Sequence, residues 1–145
     1  MIAPGVVLTA AHCFEVAKVG AFATIGPIDP RGETTDARKS RIVETTYHPD
    51  FDRSYNEFDF MLLKLEDSLT VDPSIEFSLS EDDTIPADGQ NVTMMGFGLL
   101  KENTYGWPDK LQKVVVQKIG FEQCNNTYGV VIDDVMICAG EYSIC

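Results

Sequence analysis

The sequence predicts an all-β fold of the sandwich or barrel kind, and three observations carry that expectation. Short β-branched or apolar runs recur at residues 6–9, 21–25, 41–46, 60–65, 92–95, 113–118 and 135–138. Turn signals stand between them, among them Asp29-Pro30-Arg31-Gly32, His48-Pro49-Asp50 and Ala87-Asp88-Gly89. No long stretch of 3.6-residue periodicity competes, and no internal repeat is visible. Many short strands with polar turns must stack or close to bury their apolar faces.

Taken in order, Val6-Val7-Leu8-Thr9 is the first strand, ending in the small residues Ala10 and Ala11 before His12 and Cys13. Residues 21–25 and 41–46 follow, and the apolar run 60–65 (Phe-Met-Leu-Leu-Lys-Leu) comes directly after Asp59. Residues 78–88, Ser-Leu-Ser-Glu-Asp-Asp-Thr-Ile-Pro-Ala-Asp, are acidic and have little to bury. They read as an exposed connector between two β units, with a plain surface loop within one unit as the alternative. Strands at 92–95, 113–118 and 135–138 then build the second unit.

With 44% hydrophobic and 23% charged residues, the 145-residue chain has enough apolar material for a core. Its 23 acidic residues outnumber 11 Lys and Arg, a formal net charge of −12, and no basic cluster is present. Nucleic acid and anionic membrane are therefore excluded as expected partners, because polyphosphate must be met by positive charge. No apolar run reaches the roughly 18–20 residues that span a bilayer. Residues 1–11 are apolar but lack a basic leading region, and read as a buried strand rather than a signal peptide.

Cys13, Cys124, Cys138 and Cys145 form no Cys-x-x-Cys pair, and only His12 and His48 could join them, so no metal site is expected. Spacing alone leaves free thiols and disulfides both open. Asp50, Asp52 and Glu57 lack the spacing of a calcium loop and read as a solvated acidic loop.

His12 alone, after a strand, has the character of a structural histidine. Asp59 alone could cap a strand at the surface, since an aspartate is costly to bury unless bonded. Together their contexts say more. Leu8-Thr9-Ala10-Ala11-His12-Cys13, followed by Asp59-Phe60-Met61-Leu62-Leu63-Lys64-Leu65, closely resembles the chymotrypsin/trypsin family of serine proteases. The order His then Asp is that family's order, with the serine last. The likeness continues through Gly96-Phe97-Gly98, where the family has Gly-Trp-Gly, through Leu111-Gln112 and Val114-Val115-Val116, and through Met136-Ile137-Cys138-Ala139-Gly140.

The resemblance implies a two-barrel trypsin-like fold, incomplete at both ends: a first barrel over about 1–77, a connector at 78–88 and the start of a second barrel at 89–145. It implies a serine endopeptidase acting on protein or peptide substrates, open to protease inhibitors, secreted and needing no cofactor. His12 would be the general base and Asp59 its orienting partner. None of the serines lies in the family's Gly-Asp-Ser-Gly-Gly context, so the chain is expected to be inactive alone. A non-catalytic homologue acting as a binding module is the alternative. Ser143, just before Cys145, resembles the base of the primary specificity pocket; with no acidic residue there, a taste for apolar side chains is at least as well supported as one for Lys or Arg. Cys124 and Cys138 resemble a family disulfide closing a loop of about 15 residues, while Cys13 and Cys145 would be left unpaired. Asn91-Val92-Thr93 and Asn125-Asn126-Thr127 fit the glycosylation pattern, Asn91 entering a strand and Asn125 lying in a loop.

Overall fold

A computed structural model of the chain describes residues 1–26, 37–68, 79–82, 84–101, 106–128 and 136–140. Its contacts divide the chain into two units, with the division near residues 79 and 80. The first holds a four-stranded antiparallel sheet in the order β1-β4-β3-β2, and the second a three-stranded one in the order β5-β6-β7. Here β1 is Val6–Thr9, β2 Phe22–Ile25, β3 Arg38–Tyr47, β4 Met61–Leu65, β5 Asn91–Gly96, β6 Gln112–Ile119 and β7 Cys138–Gly140. The prediction of a mostly β chain holds, with every predicted run up to 118 falling on a strand.

In the first unit β4 sets the pattern. Met61, Leu63 and Leu65 are buried while Leu62 and Lys64 face outward, the period of two that an antiparallel strand with one covered face imposes. Its neighbour β3 is longer than the predicted run 41–46, because the alternation changes phase midway. Ser40 and Ile42 point inward, the register then slips between Ile42 and Glu44, and Val43 bulges outward at 41% exposure. After the bulge the inward phase passes to Thr45, which is half-buried. Ala11, Ile42, Met61, Leu63 and Leu65 form the buried core, with Val7, Ala23, Ile25 and Phe51 packed against it. Ser40, 1% exposed, is the buried polar side chain among the described residues. Its hydroxyl donates to Asp67 Oδ2 at 2.9 Å and accepts from the Asp67 N–H at 3.0 Å, which satisfies it.

The prediction was incomplete at two places. Between β1 and β2 the chain does not simply end a strand at His12; residues Ala11–Glu15 make a turn of 3-10 helix, with Ala11 fully buried as its anchor. In the second unit Phe121–Tyr128 forms a helix, α1, where no helix was expected. Its sequence, Phe-Glu-Gln-Cys-Asn-Asn-Thr-Tyr, spans barely two turns and is rich in residues of modest helix propensity, so periodicity could not reveal it. Asn125 therefore sits in a helix, not in a loop. The last strand is also displaced: β7 is Cys138–Gly140, which overlaps the expected run 135–138 only at Cys138, and residue 135 lies outside the described residues.

A disulfide between Cys124 and Cys138 ties α1 to β7, with a Cα–Cα distance of 6.2 Å. Lys118 of β6 pairs with Asp88, and Gly89 N–H donates to the Lys118 carbonyl at 2.8 Å. Met94, Met95, Leu99, Leu100, Val114 and Val115 are each more than half exposed. Among the described residues no helix is long and apolar enough to cross a membrane.

Candidate active site

The first unit brings together His12, beyond the C-terminal end of β1, and Asp59, before the N-terminal end of β4. β1 and β4 run antiparallel with Thr9 opposite Met61, so the residues just beyond each end meet at the same edge of the sheet. The Ala11 N–H donates to the Asp59 carbonyl at 3.3 Å and continues that ladder. The small Ala10 and Ala11 let the chain turn at once into the 3-10 helix, which places the imidazole over the edge.

The Asp59 carboxylate holds His12 at two atoms. Oδ2 lies 2.6 Å from ring Nδ1, and Oδ1 accepts the His12 backbone N–H at 2.8 Å. The aspartate side chain is 24% exposed and the histidine 58%. Burial is the largest single influence on the carboxyl and pushes its pKa up. The hydrogen bonds from the His12 ring and backbone, the charge of His12 and the Ala11 N–H outweigh it, and hold Asp59 below the ordinary aspartate value. A carboxylate kept ionised beside Nδ1 selects the ring tautomer that carries its proton there, and Nε2 is left with a lone pair. His12, Phe14, Glu15, Arg53 and Asn56 line an open hollow beside the ring. Arg53 lies 4.4 Å over the Phe14 ring and 3.6 Å from Glu15, which gives that hollow one charged wall.

Asp59 owes its direction to an unusual turn. Asn56 and Phe58 both take left-handed backbone conformations, φ 53° and 51°. Asn tolerates this, but for Phe the cost is about 1–2 kcal/mol. Phe60 N–H donates to the Phe58 carbonyl at 2.6 Å, closing a three-residue turn with Asp59 at its centre. The Phe58 ring stacks on His48, centroids 4.9 Å apart and planes 9° from parallel, a contact that recovers about 0.5–1.5 kcal/mol. Neither the left-handed turn nor the His48 contact was visible in the sequence, because a Phe is among the last residues a positive φ would suggest.

A family model described as Trypsin matches residues 1–145. The chain belongs to the trypsin family of serine proteases. It is 32% identical to human (Homo sapiens) kallikrein-4 over 97% of its length and 53% of that protein's. It is 30% identical to human kallikrein-8, over 92% of its own length and 51% of the relative's. Against ovochymase of Halocynthia roretzi the identity is 29% over 92% of the chain, which corresponds to 9% of that protein. The chain thus spans about half the length of these kallikreins and a small part of ovochymase. Its fold matches neuropsin, a serine protease expressed in the limbic system of mouse brain, with a TM-score of 0.83 at 21% identity, covering 98% of this chain and 62% of that one.

Within this family frame, the structure joins His12 to Asp59 and Cys124 to Cys138. Cys13 is half-buried and in no disulfide among the described residues. Ser143 and Cys145 lie outside the described residues. Asn91 is exposed at the start of β5, whereas Asn125 is half-buried in α1, and the Thr127 hydroxyl donates to the Gln123 carbonyl at 2.9 Å.

Proposed function

We propose that the chain supplies the base and its orienting acid to a serine endopeptidase, which hydrolyses protein or peptide substrates through an acyl-enzyme. The 2.6 Å contact of His12 Nδ1 with Asp59 Oδ2 carries the reading. With Nδ1–H committed to Asp59, Nε2 takes the proton of an attacking hydroxyl. The imidazolium that forms meets an aspartate already ionised and at contact distance, and Nε2 then returns the proton to the leaving amine. The disulfide fits an oxidising, extracellular setting for this chemistry.

The nucleophile on this reading is a serine in a Gly-Asp-Ser-Gly-Gly context, which residues 1–145 do not contain, and the oxyanion donors belong to that same segment. Residues 1–145 alone are expected to form no acyl-enzyme. Sequencing the transcript past Cys145 and probing the products with a fluorophosphonate tests both halves. A Gly-Asp-Ser-Gly-Gly segment, and labelling of the longer product that His12→Ala abolishes, supports the enzyme. A transcript in which that serine is replaced supports a binding module instead, and labelling of the 145-residue chain itself refutes the claim that it is inactive alone.

A further inference from the structure

We propose that His48 is a positioning residue for Asp59: its ring, stacked on Phe58, holds the left-handed turn that aims the carboxylate at His12. The inference rests on the reading of His12 and Asp59 as an acid–base pair and names what keeps that pair aligned.

The turn needs a hold. Phe58 immediately precedes Asp59, so a return of its φ from 51° to a negative value would swing the peptide that leads into the aspartate. The backbone bonds around Asp59, from Phe60 N–H to the Phe58 carbonyl and from Ala11 N–H to the Asp59 carbonyl, form only when that peptide already faces the right way. What opposes relaxation is the Phe58 side chain, and among the described residues its ring partner is His48.

His48 is a fixed platform. Its N–H donates to the Phe60 carbonyl at 2.9 Å, one step beyond the Tyr47–Met61 pair, so it belongs to the end of the β3–β4 ladder. Its carbonyl accepts the Phe51 N–H at 3.1 Å. Its Nδ1 accepts the Asp50 N–H at 3.2 Å, which sets the plane of the ring. The ring plane that Phe58 docks against is therefore tied to β4, the strand that also pairs with β1, beyond whose end His12 lies. A rigid sheet is coupled through one stacked ring to the carboxylate, and this is how a strained residue survives beside a functional one.

The test reads the His12 tautomer by nitrogen-15 NMR of the 145-residue chain at about pH 8.5, where ordinary imidazoles are neutral. The chain has 2 histidines, so each His48 variant leaves one signal set to follow. His48→Ala is expected to shift His12 about three- to tenfold from Nδ1–H toward Nε2–H. His48→Phe, which keeps a stacking ring, is expected to restore the native ratio. Phe58→Gly adopts the positive φ without strain and should retain the ratio, and adding His48→Ala to it should change nothing more. The core variant Ile42→Val, destabilising without touching the stack, should leave the ratio alone.

The proposal is overturned if His48→Ala leaves the ratio unchanged, or if His48→Phe shifts it as far as alanine does. It is equally overturned if His48→Ala acts undiminished in the Phe58→Gly background, or if Ile42→Val mimics it. The readout needs neither serine nor substrate. The expected ratios in a chain whose longer product hydrolyses nothing would support the positioning role and refute only the proposed function.

Discussion

Asp59 grips His12 at the ring and at the backbone with the two oxygens of one carboxylate, 2.6 Å to Nδ1 and 2.8 Å to the main-chain N–H. The second bond does not depend on the protonation of the ring. It holds the aspartate in place while the imidazole gains and loses its proton, so the charge that stabilises imidazolium is already positioned when imidazolium forms. The geometry comes from strand pairing: β1 and β4 deliver the two residues to one edge, and the turn at residues 56–60 rotates the carboxylate inward.

Asp59→Asn tests the ring contact. The amide matches the carboxylate in shape, and its oxygen can still accept the His12 backbone N–H. Its NH2 then faces Nδ1 and selects the opposite tautomer, with the ring proton on Nε2. NMR of the 145-residue chain should show His12 converted to Nε2–H. In a longer product that hydrolyses peptides, kcat should fall about 10⁴-fold, the size known for this swap in Ser-His-Asp triads. A native tautomer in the variant would show that the carboxylate does not set it.

The lowered pKa of Asp59 makes part of the stability depend on pH. A carboxyl whose folded value lies below its unfolded value, about 3.9, binds its proton more readily in the unfolded chain. Its contribution is fully present above that unfolded value and disappears as the pH falls through the lower folded value. Urea unfolding of the wild type and Asp59→Asn should therefore show a stability gap that shrinks as the pH falls below about 4. A gap that widens as the pH falls below about 4 contradicts the direction of the shift.

Much of this was legible in the sequence because strands announce themselves by period. Met61, Leu63 and Leu65 alternate with exposed neighbours, and the predicted run 6–9 coincides with β1. His12 and Asp59 were legible through their contexts. Other features lie in tertiary structure that overrides residue preference. The bulge at Val43 extends β3 beyond its apparent pattern, and α1, weak in helix propensity, is tied to β7 by a disulfide. Phe58 occupies a backbone region its side chain disfavours, and among the described residues its ring stacks on His48, ten positions earlier in the chain.

Adjacent leucines on β4 should behave as opposites. Leu63 is 4% exposed inside the core, and Leu63→Ala removes packed methyl groups and leaves a cavity, at a cost of about 2–5 kcal/mol. Leu62 is 38% exposed on the other face, and Leu62→Ala should stay within about 1 kcal/mol. Denaturant midpoints at unchanged slope check the contrast. Equal losses would mean that the outer face of this sheet is covered in solution.

The Cys124–Cys138 bond should decide whether α1 exists. A helix of eight residues with this composition is marginal in water, so its order must come from tertiary attachments. The disulfide is an attachment at mid-helix, since Cys124 is 2% exposed and its partner opens β7. Closing a loop of this length is worth roughly 3 kcal/mol, which corresponds to about a hundredfold in the opening equilibrium. Replacing both cysteines with serine should accelerate amide exchange across Phe121–Tyr128 by about that factor and reduce the helical signal in circular dichroism. Cys13→Ser is the matched control: Cys13 is in no disulfide among the described residues, so its loss should leave those amides as protected as before. Unchanged exchange in the double variant would show that packing of the Cys124 side chain position, rather than the covalent bond, holds the helix.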